Sequence, residues 1–162
     1  MTWVIRPAEP GDLAGIMAIE TSEFLNDAWS ESLMAAELDS AHTEYFAAHR
    51  EEEPGILCGY AGLFAPRGGT EGDVQTIAVA RDARRGGLGR ALMKMLLATA
   101  AERGVRELFL EVREDNEGAR RLYRELHFEE LGTRAGYYQP DNVDAVVMRR
   151  SLLPAQEHGI GR

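Results

Sequence analysis

The second half of the chain alternates between strand-like and helix-like patterns, and this alternation restricts the possible folds more than any other feature. Residues 73–79 and 107–112 have the composition of strands, and a helical pattern follows each of them. A strand–helix–strand connection brings the chain back for parallel pairing. The sequence therefore predicts an α/β domain whose sheet is partly parallel.

The first half adds two helices and a hairpin. Pro10-Gly11-Asp12 begins one helix, and Ser30 is the expected N-cap of a second helix, which turns Leu33, Met34 and Leu38 inward. Residues 43–49 and 56–63 flank a polar turn, which indicates an antiparallel hairpin and hence a mixed sheet. The remaining strands are expected near residues 4–6, 128–134 and 144–149, which gives the element order βααβββαβαββ.

Length and charge limit the kind of protein. The chain has 162 residues, so we expect one domain at 1–153 followed by a flexible tail at 154–162. A formal net charge of −9 repels nucleic acid and favours a basic peptide as partner. No apolar run is long enough to cross a bilayer, the start lacks a secretory pattern, and there is one cysteine, so we expect a cytoplasmic protein with no membrane contact. We expect a monomer or a weak dimer.

A glycine-rich turn joins the strand at 73–79 to the helix that follows it. Its residues are Arg84-Arg85-Gly86-Gly87-Leu88-Gly89-Arg90. Glycines let a phosphate approach the main chain, and a helix start offers unpaired N–H donors to an anion. A plain structural turn is an equally good interpretation of this segment alone. A dinucleotide fingerprint is excluded because residue 92 is leucine, and a P-loop is excluded because no Gly-Lys-Ser/Thr follows.

The pattern Arg84-x-x-Gly87-x-Gly89, placed after the strand Thr76-Ile77-Ala78-Val79, resembles the signature of the GCN5-related N-acetyltransferase (GNAT) superfamily. The resemblance extends from Ile5 to Arg149. Further segments are similar to the bacterial ribosomal-protein alanine N-acetyltransferases of the RimI type: Trp29-Ser30, Leu110-Glu111-Val112-Arg113, Asn116, Leu122-Tyr123 and Tyr137-Tyr138.

The resemblance implies a GNAT fold, a mixed and mostly antiparallel sheet with helices on both faces. It also implies acetyl-coenzyme A (acetyl-CoA) as cosubstrate and no metal. Main-chain groups of Ile77, Ala78 and Val79 would then pair with the pantetheine arm, and Asn116 would lie near the thiol. The pyrophosphate would be bound by the turn, from Arg84 and Arg85 through Gly86, Gly87, Leu88 and Gly89 to Arg90.

The resemblance assigns a general base to Glu111 and a general acid to Tyr123. Transfer from a thioester to an amine needs both, and a phenol stays protonated near neutral pH. Strand alternation places Glu111 on the face opposite Leu108, Leu110 and Val112. From spacing alone, Glu111 is also compatible with a solvated carboxylate, Tyr123 with a core aromatic residue, and Asn116 with a helix cap.

The same resemblance places Trp29, Tyr137 and Tyr138 along a peptide groove, although loop aromatics also pack together without such a role. An α-amine costs about 0.7 kcal/mol to deprotonate at pH 7.5, whereas a lysine amine costs about 4 kcal/mol. The favoured acceptor is therefore the N-terminal α-amine of a protein or peptide, and the resemblance implies an alanine-type N-terminus, such as that of a basic ribosomal protein. Acetylation of lysine or a small amine is one alternative, and a CoA-binding regulatory module without turnover is another. Relatives often have proline at the position of Ala28 and a longer polar residue at that of Gly86.

Overall fold

The computed structural model describes residues 2–152, so the expected domain end at 153 and the expected tail at 154–162 lie outside it. Seven strands and four α-helices follow the predicted order. They are β1 (Trp3–Pro7), α1 (Leu13–Phe24), α2 (Glu31–Asp39), β2 (Thr43–Arg50), β3 (Leu57–Phe64), β4 (Glu71–Val79), α3 (Leu88–Glu102), β5 (Glu107–Arg113), α4 (Glu117–Glu125), β6 (Glu129–Tyr138) and β7 (Val143–Ser151).

The strands form one sheet in the order β1-β2-β3-β4-β5-β7-β6. Its neighbours are antiparallel except for β4 and β5, which are parallel and joined through α3. The predicted mixed, mostly antiparallel sheet is confirmed. The second strand–helix–strand unit forms no parallel pair, because β7 lies between β5 and β6 and pairs with both.

The parallel pair opens into a cleft in the middle of the sheet. Pairing between β4 and β5 covers only Glu71 to Asp73 against Glu107 to Phe109. On its other side β4 continues along β3, with a shift of register that makes Gln75 an extra, bulged residue. One edge of β4 beyond Asp73 therefore faces the cleft instead of a neighbouring strand.

Helices cover both faces of the sheet. α3 and α4 pack on one face over the larger core, and α1 and α2 pack on the other around Ile16, Met34 and Tyr60. Ser30 caps α2 as predicted, its hydroxyl accepting from the Leu33 N–H at 3.2 Å. The inward orientation predicted for Leu33 is wrong, since its side chain is 45% exposed. The buried face of α2 runs through Met34 and Leu38. Leu33 lies about 100° from Met34 around the helix and therefore falls outside that face.

Within residues 2–152, no helix combines the length and the apolar composition that crossing a membrane requires.

Candidate active site

Three adjoining cavities occupy the cleft between β4 and β5. The turn groove, of about 650 Å³, lies between the end of β4, the segment 84–90 and the start of α4. The central cavity, of about 230 Å³, lies between the diverging parts of β4 and β5. The hairpin cavity, of about 550 Å³, reaches the β6–β7 hairpin. Asn116 lines both the turn groove and the central cavity, and Glu111 lines both the central and hairpin cavities.

The glycine turn leads directly into α3. Gly87 has a φ of +79°, and Arg85 reaches +68°, a left-handed conformation that costs a residue with a side chain about 1 kcal/mol. The first N–H groups of α3 have no acceptor inside the helix. A Cβ on Gly89 would lie 3.7 Å from Leu122 and 3.9 Å from Val79, which both line the turn groove. Glycine therefore leaves this part of the groove open to a ligand.

Gly86 is the one residue of the predicted phosphate turn that does not line the groove. The Trp3 indole N–H donates to its carbonyl oxygen at 3.0 Å, and a Cβ on Gly86 would lie 3.0 Å from the Trp3 ring. The indole thus occupies the space that a larger residue at 86 would need. Sequence reasoning missed Trp3 as a support of the turn, because no local pattern connects β1 with a segment 83 residues away.

The three arginines of the turn differ in their partners. Arg84 is ion-paired with Glu23, a largely buried residue that also lines the groove, and Arg90 is ion-paired with Glu125. Arg85 has no ion pair with any residue in 2–152. It is therefore the guanidinium of the turn that is free to pair with an anionic ligand.

The edge of β4 forms one wall of the turn groove. Ile77, Ala78 and Val79 all line it, and their ladder hydrogen bonds go to β3 on the far side. No strand in the described part of the chain pairs with their other edge. This wall thus presents main-chain groups to the cleft, as a ligand that adds to the sheet would require.

Asn116 caps α4, its Oδ1 accepting from the Ala119 N–H at 3.1 Å. The capping interpretation is therefore correct. The residue also lies at the junction of the turn groove and the central cavity. Its side-chain N–H₂ group, which the cap does not use, is a donor at that junction.

Glu111 lies where strand alternation predicts, opposite the buried Leu110 and Val112. Its side chain is 29% exposed, and Arg134 Nε lies 2.9 Å from its Oε2. The direction of that N–H does not make a hydrogen bond, so Oε2 is buried with an ionic neighbour alone. The charge of Glu111 is the main cause of a raised pKa of the Tyr137 hydroxyl. The carboxylate thus lies between a guanidinium and a phenol at the boundary of two cavities.

Tyr123 is both a core residue and a cavity residue. Its ring packs edge-on against Phe128 at 6.1 Å between centroids, and it also lines the central cavity together with Glu111. Burial raises the pKa of its hydroxyl above the ordinary value. Tyr123 is therefore a protonated phenol throughout the neutral range.

The three aromatic residues predicted for a peptide groove meet in the hairpin cavity. Trp29 is half-buried, the side chain of Tyr137 is 47% exposed, and the Tyr137 and Tyr138 rings meet edge-on at 5.1 Å. Burial and the charge of Glu111 raise the pKa of Tyr138 to about 12. Trp29 also packs against the smaller core, so ordinary packing of a loop aromatic residue accounts for its position as well.

The region from α1 to the start of β6, residues 13–128, matches the model of the acetyltransferase (GNAT) family. The chain belongs to the GNAT family. Both the family expected from the sequence and an acetyltransferase enzyme class are thereby confirmed, and the seven-stranded sheet with helices on both faces is the expected GNAT fold.

Relatives and solved structures agree with this assignment. An N-alpha-acetyltransferase RimI of Mycobacterium tuberculosis is 39% identical over 128 residues, which are 77% of either chain. The crystal structure of a ribosomal-protein-S18-alanine N-acetyltransferase from Escherichia coli has a TM-score of 0.84 at 31% identity, covering 95% of this chain and 96% of the other. An uncharacterised Mycobacterium leprae protein is 37% identical over 91% of this chain, but the match spans only 40% of that protein.

Sequence reasoning missed the role of Arg113 in this GNAT site. Its Nη1 lies 2.7 Å from Asp27 before α2 and 3.3 Å from Asp141 in the β6–β7 hairpin. It also pairs with Asp115 at 3.1 Å, and its guanidinium lies 5.3 Å from the centre of the Tyr138 ring. Arg113 thus joins the two loops that carry Trp29 and Tyr138. The sequence signal was its place two residues after Glu111 on the same strand, but Asp27 and Asp141 are 86 and 28 residues away from it in the sequence.

Asp73 is a second missed residue of the GNAT site. It lines the hairpin cavity at the point where β4 and β5 diverge. Although its side chain reaches solvent, partial burial is the larger cause of its raised pKa, followed by the charge of Glu111. The hairpin cavity therefore has an acidic wall. Among residues 2–152, no cluster of three or more side chains is arranged to bind a metal ion.

Proposed function

We propose that this chain transfers the acetyl group of acetyl-CoA to the N-terminal α-amine of a protein that begins with alanine, a ribosomal protein or one like it. Two relatives support this proposal by name, the mycobacterial N-alpha-acetyltransferase and the Escherichia coli ribosomal-protein-S18-alanine N-acetyltransferase. We further propose that the enzyme works in the cytoplasm.

One observation carries the proposal: the turn groove and the hairpin cavity adjoin at a central cavity lined by Glu111 and Tyr123. A donor in the turn groove and an acceptor in the hairpin cavity would meet at a carboxylate and a protonated phenol. Direct transfer between two bound substrates requires this arrangement.

The residues of the turn groove fit acetyl-CoA. The N-terminal amides of α3 and the unpaired Arg85 suit a pyrophosphate, and the open edge of β4 suits the amides of a pantetheine arm. The open space at Gly89 allows close approach of the ligand to the main chain. When bound, acetyl-CoA supplies an acetyl group activated as a thioester.

In the proposed mechanism, Glu111 takes a proton from the acceptor ammonium, directly or through water, so that the free amine attacks the acetyl carbon. The Arg134 guanidinium lies 2.9 Å from this carboxylate and is its ionic neighbour. As the carbon–sulfur bond breaks, Tyr123 donates its proton to the departing thiolate. The second proton, which the acceptor nitrogen loses as the amide forms, passes to Tyr123 directly or through water, and Glu111 releases the first proton to solvent. The raised pKa of Tyr123 keeps its own proton available at every working pH.

The choice of an α-amine follows from the same chemistry. A partly exposed glutamate is a weak base, and an α-amine costs about 3 kcal/mol less to deprotonate at neutral pH than a lysine amine does. The acidic wall at Asp73 and Glu111 and the net charge of −9 favour a basic acceptor chain.

A peptide panel tests the proposal. Three versions of a basic peptide that begins with Ala are incubated with acetyl-CoA. The first has a free α-amine and an internal lysine, the second has a blocked α-amine and the same lysine, and the third has a free α-amine and no lysine. We expect thiol release with the first and third. Acetylation of the blocked peptide would instead establish a lysine acetyltransferase. Acetyl-CoA binding without thiol release for any acceptor, small amines included, would establish a regulatory module.

A further inference from the structure

Glu20 is a buried carboxylate in the central cavity for which the proposed mechanism has no use. It lies on α1, its residue is 1% exposed, and it faces the cavity together with Trp29 and Tyr123. A buried carboxylate is costly unless both of its oxygens are hydrogen-bonded. The partners of those oxygens therefore indicate what the residue does.

Both oxygens accept hydrogen bonds, and the two donors come from different parts of the chain. The main-chain N–H of Trp29 donates to Oε2 at 2.9 Å, and the hydroxyl of Tyr60 on β3 donates to Oε1. Burial and the charge of Glu20 raise the pKa of Tyr60, so this hydroxyl keeps its proton and remains a donor. Glu20 thus connects the central sheet to the loop before α2.

This loop carries an aromatic wall of the hairpin cavity, and side chains from other segments hold it. Arg113 binds Asp27 at 2.7 Å, and Glu20 binds the N–H of Trp29 two residues later. Leu25, at the start of the loop, has a φ of +47° and is exposed, so local packing does little to fix the chain there. Of these contacts, the one from Glu20 is made to the main chain at Trp29 itself.

We propose that Glu20 is a positioning residue for the acceptor, which acts by fixing the main chain of Trp29. This inference rests on the proposed function, because it takes the hairpin cavity as the acceptor site. Glu20 acts through Trp29 and not on the reacting atoms. Its loss should therefore weaken acceptor binding much more than cofactor binding or the chemical step.

The test is Glu20→Gln. A glutamine offers one acceptor oxygen where the carboxylate has two, so one of the two donors loses its partner. We expect the KM for the free Ala peptide to rise about tenfold, kcat to fall by less than about threefold, and the calorimetric Kd for acetyl-CoA to change by less than about twofold. Fluorotryptophan NMR should show the Trp29 signal shifted or broadened and the Trp3 signal unchanged.

Asp12→Asn is the matched control. Asp12 is also a largely buried carboxylate that accepts from a main-chain N–H, that of Glu9 at 2.7 Å, and from a side chain, that of Arg6 at 2.8 Å. It lines none of the three cavities. We expect it to lower Tm as Glu20→Gln does but to leave the peptide KM unchanged. An equal KM for both variants and wild type would overturn the inference.

Two provisions separate the possible failures. If Glu20→Gln does not fold, Tyr60→Phe is used instead, because it removes one of the two hydrogen bonds to the Glu20 carboxylate. We then expect the peptide KM to rise about threefold and the Trp29 signal to shift. No change in either would overturn the inference.

If wild type acetylates no peptide, the proposed function fails. The NMR comparison needs no acceptor, and an unshifted Trp29 signal in Glu20→Gln would overturn the positioning role independently.

Discussion

The turn groove and the hairpin cavity are built in different ways. The turn groove consists mainly of main chain: the open edge of β4, the N–H groups at the start of α3, and glycines that leave room for a ligand. The hairpin cavity consists of side chains held by ion pairs and a cation–ring contact between separate segments.

This difference matches the difference between the two proposed ligands. The proposed cosubstrate, acetyl-CoA, is the same in every turnover, so a site made mainly of main chain suits it. An acceptor must be selected from many peptides, and selection requires side chains that can differ between enzymes. The variants below separate the two regions from each other and from the chemistry between them.

Glu111→Gln should have the largest effect. Without the carboxylate that takes the proton of the acceptor amine, we expect kcat to fall by about 10²-fold while the Kd for acetyl-CoA stays the same. Rapid measurement of thiol release and calorimetry would check the two values. Glu107→Gln is the control, since Glu107 lies on the same strand and pairs with Arg149 outside the three cavities. Full activity in Glu111→Gln would remove this residue from the mechanism.

Tyr123→Phe should have the next largest effect, a fall in kcat of about 30-fold, because water can replace the phenol as a poorer proton donor. The pKa of the Tyr123 hydroxyl is raised above its ordinary value by burial, so this group keeps its proton between pH 7 and 9.5. Its ionisation should therefore cause no loss of kcat in that range. A pH profile of wild type should therefore have no alkaline limb from this residue. A limb near pH 9 that vanishes in Tyr123→Phe would contradict the assignment of its protonation state.

Gly87→Ala and Gly104→Ala form a matched pair that tests the turn groove. Both glycines have a φ near +80°, and a Cβ at either would meet nothing within 4 Å. Each substitution should lower stability by about 1 kcal/mol, measured by denaturant unfolding. Gly87→Ala alone should weaken acetyl-CoA binding, by about tenfold, because only Gly87 lies at the start of α3. Equal Kd values for the two variants would mean that the turn does not bind the phosphates.

The same contrast explains how much the sequence could predict. The elements of the turn groove are local: a strand, glycines within four positions, and a helix that follows at once. Spacing alone therefore placed Gly87 and Gly89 between β4 and α3, whereas the role of the β4 edge came from the family resemblance. Leu33 was misplaced because a broad apolar stripe that included Leu33, Met34 and Leu38 was expected, whereas packing against the sheet buries only the part with Met34 and Leu38. The ion pair of Arg113 with Asp27 joins segments 86 residues apart, and the hydrogen bond of the Trp3 indole with Gly86 joins segments 83 residues apart. Only the folded chain shows such contacts.

The smallest effect is expected for Arg113→Gln, which tests the hairpin cavity. Removal of the guanidinium leaves Asp27, Asp115 and Asp141 near one another without a counter-ion, and their repulsion should separate the two loops. We expect the KM for the Ala peptide to rise about fivefold, with the Kd for acetyl-CoA unchanged, in a steady-state and calorimetric comparison.

Arg149→Gln is the control for this variant, because Arg149 also pairs with two carboxylates, those of Glu107 and Glu129, but lies outside the three cavities. It should leave the peptide KM unchanged. If Arg113→Gln instead weakened acetyl-CoA binding as strongly as peptide binding, the loops would belong to both sites. The division between a main-chain cofactor site and a side-chain acceptor site would then be wrong, because one network of ion pairs would support both.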